Sequence, residues 1–303
     1  MGKIGVFFLK LISSLPFWLL YRLSDFLYLV LYKVMGYRTK VVRTNLENSF
    51  PEKSPKEIQK IMDEFYSFLC DLILESIKCF TMSTDELAKR MTLHLSDEFK
   101  ESAKNDQNAI FVLGHFANWE YAQLRFSMIE ERQNFVGVYK KVGSKDVDQF
   151  LYKVRGRTGT DLTEMKQVSR RVQECVNEHI PFIIALVSDQ SPSKERGYWM
   201  EFLNQDTPVF LGAERYAQKL DAPIFFVDLR RKKRGFYEMH VVPLIMEPQK
   251  MAPGEITEIH TKHLESIIKQ QPELWLWSHK RWKHKRPEGL PETQLSKRYV
   301  VKK

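Results

Sequence analysis

The residues best placed to do chemistry sit in "GHFANWE", residues 114–120. An imidazole, His115, is followed five residues later by a carboxylate, Glu120. Such a pair can remove a proton from a hydroxyl. His115 is the candidate general base, and Glu120 is expected to hold its tautomer and stabilise the imidazolium as it forms. The spacing alone carries no weight. With eight histidines and 38 acidic residues in 303, about one His-x4-acid match arises by chance. The chain has two, and the other is His260 with Glu265. Those two fall inside one helical pattern, where five residues turn through about 500° and leave the side chains about 140° apart. His115 instead follows the apolar run "AIFVLG" (109–114). Asn118 is expected to cap a helix that begins at Trp119, with Glu120 in its first turn. Gly114 leaves room for a close approach. A strand end followed by a helix is where open α/β sheets place ligands. No serine or cysteine lies nearby in sequence as a protein nucleophile, which leaves the substrate's own hydroxyl as a candidate nucleophile.

Positioning these residues requires an α/β scaffold. "SPKE" (54–57) is a capping box that opens a helix to about residue 79. Strand-like runs follow at 109–114, 134–139, 182–187, 223–229 and 237–244. Helical patterns at 145–154, 164–179, 211–220 and 255–270 separate or follow them. This alternation predicts a layered, mostly parallel sheet flanked by helices. The last two runs, joined through "RRKKRGF", are expected to form an antiparallel hairpin at an edge.

Residues 4–35 are almost wholly apolar or aromatic, interrupted by Lys10, Arg22 and Asp25. Three arrangements satisfy this pattern: a tilted anchor helix, an interfacial pair of helices broken near Pro16, or a soluble hydrophobic hairpin. Lys33, Arg38, Lys40 and Arg43 follow, so a spanning segment would leave the remainder in the cytoplasm. A cleaved signal peptide is a poorer fit, because the apolar region is long and no small-residue cleavage site follows it.

The net charge of +9 directs attention to anionic partners: nucleic acid, phospholipid headgroups, phosphorylated substrates or an acidic carrier protein. Cys70, Cys79 and Cys175 form no C-x-x-C pair, which argues against a disulfide framework or thiolate zinc site and for a reducing compartment. His260 and His263, at i and i+3, offer two metal ligands without a third, and no metal is expected. No phosphate loop or dinucleotide motif is present, "GRTGT" (156–160) included.

Several of these stretches together resemble the bacterial lipid A biosynthesis (lauroyl/myristoyl) acyltransferase family, part of the lysophospholipid acyltransferase superfamily. They are the apolar start, "NLENSFP" (45–51), "GHFANWE", "RGRTG" (155–159), "SDQ" (188–190), "GAERYAQKLDAPIFFV" (212–227) and "QPELWLWSHKRWK" (271–283). The resemblance implies a glycerolipid acyltransferase-like fold. It divides the chain into an N-terminal membrane anchor (1–36), an acyltransferase domain (37–286) and a loosely ordered basic tail (287–303). It implies a membrane-associated O-acyltransferase at the bacterial inner membrane, its catalytic domain facing the cytoplasm. The acyl chain would pass from an acyl-carrier protein or coenzyme A thioester to a hydroxyl of a lipid A precursor. His115 and Glu120 are then catalytic. Arg155, Arg157, Asp189 and Asn118 are substrate contacts, with no cofactor, metal or nucleic acid. Two features depart from the family pattern: Ala117 stands where glycine is usual, and "GYWMEFLNQ" (197–205) follows the "SDQ" stretch in place of the common text. Other readings are an acyltransferase on a lysophospholipid, glycolipid or aminolipid, and a non-catalytic basic membrane or nucleic-acid binder with "KRWKHKR" (280–286) as its contact.

Overall fold

The structure is a computed structural model that describes residues 3–129, 132–194 and 196–289. The first elements are helical: α1 (Lys3–Ser14), α2 (Phe17–Tyr28) extended by a π-helical turn (Leu29–Val34), α3 (Thr39–Ser49), α4 (Pro55–Lys78) and α5 (Thr84–Arg90). Then come β1 (Met91–Leu95), α6 (Asp97–Lys104), β2 (Ala109–Leu113), α7 (Trp119–Phe126), β3 (Asn134–Tyr139), α8 (Lys145–Gly156), β4 (Asp161–Glu164), α9 (Val168–Asn177) and β5 (Phe182–Val187). The chain continues through β6 (Tyr198–Phe202), β7 (Gln205–Val209), α10 (Gly212–Leu220), β8 (Ile224–Lys233), β9 (Phe236–Ile245) and α11 (Glu255–Gln270). A 3-10 turn, Pro272–Leu274, then leads into the C-terminal stretch.

Seven strands form one sheet in the order β1-β9-β8-β2-β5-β3-β4. Every neighbouring pair is parallel except β8 with β9. The expected α/β sheet is therefore present. The hairpin of β8 and β9 is antiparallel as expected, but β1 lies outside it and forms the edge. The basic run 230–234 is largely strand, and only its end turns, at Gly235 with φ of +75°. β2, at the centre, is buried along its whole length. Its period of two divides it between two cores. Phe111 and Leu113 pack with Phe99, Tyr121 and Phe126 on one face. Ile110 and Val112 pack with Val172, Ala217 and Ile256 on the other.

Ser54 caps α4 with both bonds of the capping box formed. The apolar residues of α4 recur at helical spacing, from Ile58 and Ile61 to Leu72, and bury one broad face. α1 and α2 rest on it. Ser13 bonds Thr81 at 2.8 Å, Ser24 bonds Asp71 at 2.7 Å, and Leu20 is buried. The continuous anchor helix anticipated as one possibility does not form. The two helices bend by 118° at a break beside Pro16, which lacks an amide proton and disfavours helix in the residue before it. Among the described residues no single helix is long and apolar enough to cross a membrane, although the bent pair has the length and composition. Ile4, Phe7, Phe8, Leu11, Trp18, Phe26 and Leu29 project from these helices with more than half their surface exposed. Residues 290–303, most of the expected tail, lie outside the described residues.

Candidate active site

β2 and β5 are parallel neighbours with Leu113 opposite Val187. The ladder continues one bond further, from the Ser188 amide to the Leu113 carbonyl at 3.1 Å. The two strand ends therefore deliver His115 and Asp189 to the same level. The helices that follow leave on opposite faces, α7 in one core and α10 in the other, which opens the crest of the sheet between them.

The Asp189 carboxylate is buried and accepts three N–H groups. They are the His115 backbone amide at 2.7 Å, the Trp275 indole at 2.8 Å, and His115 Nδ1 at 2.6 Å. Burial works against the charge, but these donors and the imidazole hold the carboxyl down to about 2. Burial lowers the His115 pKa, and the charge and hydrogen bond of Asp189, with a lesser field from Glu120, overcome it and raise the imidazole above its ordinary value. An ionised Asp189 fixes the proton on Nδ1 and turns Nε2 into the acceptor. The Gln190 side-chain amide lies 3.2 Å from that Nε2. Trp119 stands edge-on to the imidazole at 5.1 Å.

The pairing anticipated between His115 and Glu120 is therefore corrected. Glu120 lies in the first turn of α7 as expected, but both its oxygens accept from Arg155 Nη2, at 2.9 and 3.3 Å. The reason is topological. The strand ladder brings Asp189 beside His115, whereas α7 carries Glu120 toward α8. Asn118 caps α7 through Tyr121 N, as read from the sequence. It is fully buried, and its amide donates to Glu75 at 2.7 Å. Both functional groups of Asn118 are thus engaged inside the protein, which is at odds with its expected role as a substrate contact. Arg155 Nε is buried with no hydrogen-bond partner among the described residues, and Arg157 is exposed at the end of α8. A cleft of about 100 Å³ opens beside the Glu120–Arg155 pair. Its apolar lining includes Ile77, Cys79, Phe80, Leu124, Leu151 and Val154.

Gly114 has a use other than the close substrate approach expected of it. A Cβ there would meet Leu264 of α11 at 2.8 Å and Asp189 Oδ2 at 3.2 Å. The glycine admits the carboxylate and the helix behind it. Ala117 adopts φ of +48°, in the left-handed region, and is fully buried. A glycine is natural at such a position, which explains physically the residue usual there.

The C-terminal stretch holds this loop. Ala117 N donates to Leu274 O at 3.0 Å, and Leu276 N donates to His115 O at 3.2 Å. Trp275 and Trp277 are buried and stack edge to face. They belong to the core. Asn45 clamps the same stretch by donating to Trp277 O and His279 O at 2.9 and 3.2 Å. Arg281 is also buried, and burial lowers its pKa to about 10 against the opposing charge of Asp189. It donates to Pro208 O at 2.8 Å. Sequence reasoning assigned no site role to Trp275, Gln190 or Arg281. The signal available was a tryptophan-rich, basic stretch far from His115 in the chain. His260, the chance match, is a core residue whose pKa burial lowers to about 4, and Glu265 bonds Lys262, Lys269 and Leu203 N.

An α/β sheet that presents at its crest an imidazole oriented by a buried carboxylate, with Nε2 turned toward the Gln190 amide, defines an acid–base site. Residues 2–284 match the bacterial lipid A biosynthesis acyltransferase family, and the chain belongs to it. The chain is also similar to the lipid A biosynthesis lauroyltransferase of Escherichia coli (strain K12), at 25% identity over 291 residues, covering 95% of this chain and 92% of the relative. The protein is an acyltransferase of the lipid A type.

Proposed function

We propose that this protein transfers a fatty acyl chain from an acyl-carrier thioester to a hydroxyl of a lipid A precursor at the cytoplasmic face of the bacterial inner membrane. The observation that carries the chemistry is the 2.6 Å contact between His115 Nδ1 and Asp189 Oδ1, which leaves Nε2 as the base. The acceptor hydroxyl takes the place of the Gln190 amide at Nε2. Its oxygen attacks the thioester carbonyl carbon while its proton passes to Nε2. The tetrahedral intermediate then expels the sulfur, and the imidazolium returns the proton to the leaving thiolate. Asp189 stabilises the imidazolium throughout and positions the ring.

Arg155 and Arg157, on the same side as Glu120, suit the phosphates or carbonyls of donor and acceptor. The apolar cleft beside Arg155 suits methylenes of an acyl chain. A basic protein suits an acidic carrier as donor. The exposed apolar face of α1 and α2 supports membrane docking in the interface plane. The three buried, unpaired cysteines fit a reducing compartment.

The test is acyl transfer by the purified full chain, with acyl-carrier protein and coenzyme A thioesters offered in turn to a lipid A precursor and to a lysophospholipid. Mass spectrometry reads the product. Acylated lipid A precursor is the expected product, and acylation of the lysophospholipid alone would overturn the acceptor.

A further inference from the structure

A cluster of metal-competent side chains lies on the outer face of the sheet edge, away from His115. His94 on β1 stands opposite His240 on β9 in the parallel ladder. Their rings stack at 4.4 Å with 9° between the planes. Glu238 is two residues before His240 on the same strand, so it projects from the same face, and its carboxylate reaches His240 Nε2 at 3.4 Å. The intervening residues of both strands, Leu93, Met239 and Val241, pack into the core. The face carrying the three polar groups points outward, with His94 exposed and His240 and Glu238 partly so.

We propose that His94, His240 and Glu238 bind a divalent transition metal of the zinc class. One ligand-capable atom from each residue lies within 4.8 Å of the other two. Ligands around a tetrahedral zinc are separated by roughly 3.4 Å, given bonds of about 2.0–2.1 Å. Small side-chain rotations close that difference, and exposed surface leaves them free. Two imidazoles and one carboxylate are a zinc-type donor set, with a fourth position left to water. Lys232, on the neighbouring strand β8, also reaches Glu238, at 3.0 Å. It is a largely exposed lysine that a cation displaces at little cost. A metal here ties the edge strand β1 to β9. Two strands, β9 and β8, separate β1 from β2, which leads to the acid–base site, so the metal takes no part in acyl transfer.

The test uses the full chain without a histidine tag, stripped with chelator and held in detergent. Cobalt(II) is titrated and followed by its visible absorption, and zinc is titrated by calorimetry. The expected result is one saturable site per chain with nitrogen and oxygen ligation and no thiolate charge-transfer band. H94A and H240A abolish it. E238Q weakens it by about tenfold or more, since even outer partners of metal ligands are worth ~10–100-fold. Zinc raises the Tm of the wild type and not that of H94A, H94Q or H240A, and chelator reverses the rise. A wild type that fails to saturate at one equivalent would overturn the proposal. So would binding that persists undiminished in H94Q and H240A, each folded by its chelator-treated Tm.

Discussion

Replacing Asp189 by Asn keeps the shape of the side chain and inverts one of its bonds. In the native site Oδ2 accepts His115 N and Trp275 Nε1, while Oδ1 accepts His115 Nδ1. An asparagine carbonyl can serve the first two. Its NH2 then faces Nδ1 and donates to it, so the ring proton moves to Nε2. The base is disabled although nothing has moved. The rate should fall by ~10²–10⁴, the range seen when general-base catalysis or its orienting acid is lost. One charge-assisted hydrogen bond is also lost, at a stability cost of about 1.5–3 kcal/mol, so the Tm is read alongside. The pH profile separates loss of the base from general damage. With Asp189 ionised, His115 titrates above its ordinary value of about 6.5, and activity rises with pH through that point. With Asp189 neutral, burial dominates and the acid limb of residual activity shifts to lower pH. Glu120→Gln should move the limb only slightly, because Glu120 contributes a lesser field and is held by Arg155. The assay is kcat/KM for acyl transfer between pH 5 and 9 for the three proteins. An Asp189→Asn enzyme of nearly native rate with an unmoved limb, beside a Glu120→Gln enzyme that is inactive, would refute this geometry and restore Glu120 as the partner of His115.

Ala117→Gly should fold as well as the wild type, since the left-handed conformation costs alanine roughly 1–2 kcal/mol and offsets the lost methyl contacts. Ala117→Val should lower the Tm and activity together in thermal melts. Arg155→Lys keeps the charge but loses the two-oxygen grip on Glu120. It should raise KM or lower kcat, and native kinetics in both Arg155→Lys and Arg155→Ala would make the arginine a surface residue. Phe7→Ser with Trp18→Ser, both on exposed positions, should weaken vesicle binding without changing the Tm. Deleting residues 1–36 should instead destabilise the fold, because α2 supplies partners to Asp71 and Glu75. Burial, outweighing the hydroxyls of Tyr237 and Tyr21 and the Asn118 amide, raises the Glu75 carboxyl to about 7. Its folded pKa exceeds the unfolded value of about 4.3, so its contribution is complete below that pH and is lost as pH rises toward 7. Glu75→Gln should flatten the Tm between pH 5 and 7.

Local pattern was sufficient wherever the sequence had to specify something within a few residues. "SPKE" fixed the start of α4, apolar runs fixed β2, β3 and β5, and the strand-to-helix transition placed His115 at a crest with Asn118 as a cap. These features depend on backbone propensity and the period of burial, which a window of ten residues carries. The β6–β7 hairpin escaped that reading because its turn has no glycine. Leu203 and Asn204 both take positive φ, held by the complete burial of Leu203 and a bond from its amide to Glu265, which lies on a distant helix. Strand β1 escaped because "MTLHL" is short and acquires its register only from β9. The partner of His115 was decided by the tertiary fold alone. Glu120 is five residues away in the chain and Asp189 is 74, but a parallel ladder makes adjacent strand ends neighbours in space, whereas a helix turn points its carboxylate elsewhere. The Trp275 indole, 86 residues beyond Asp189, completes the same cluster. Chain proximity selects helix caps and turns; the electrostatics of a buried imidazole depend on which strands pair.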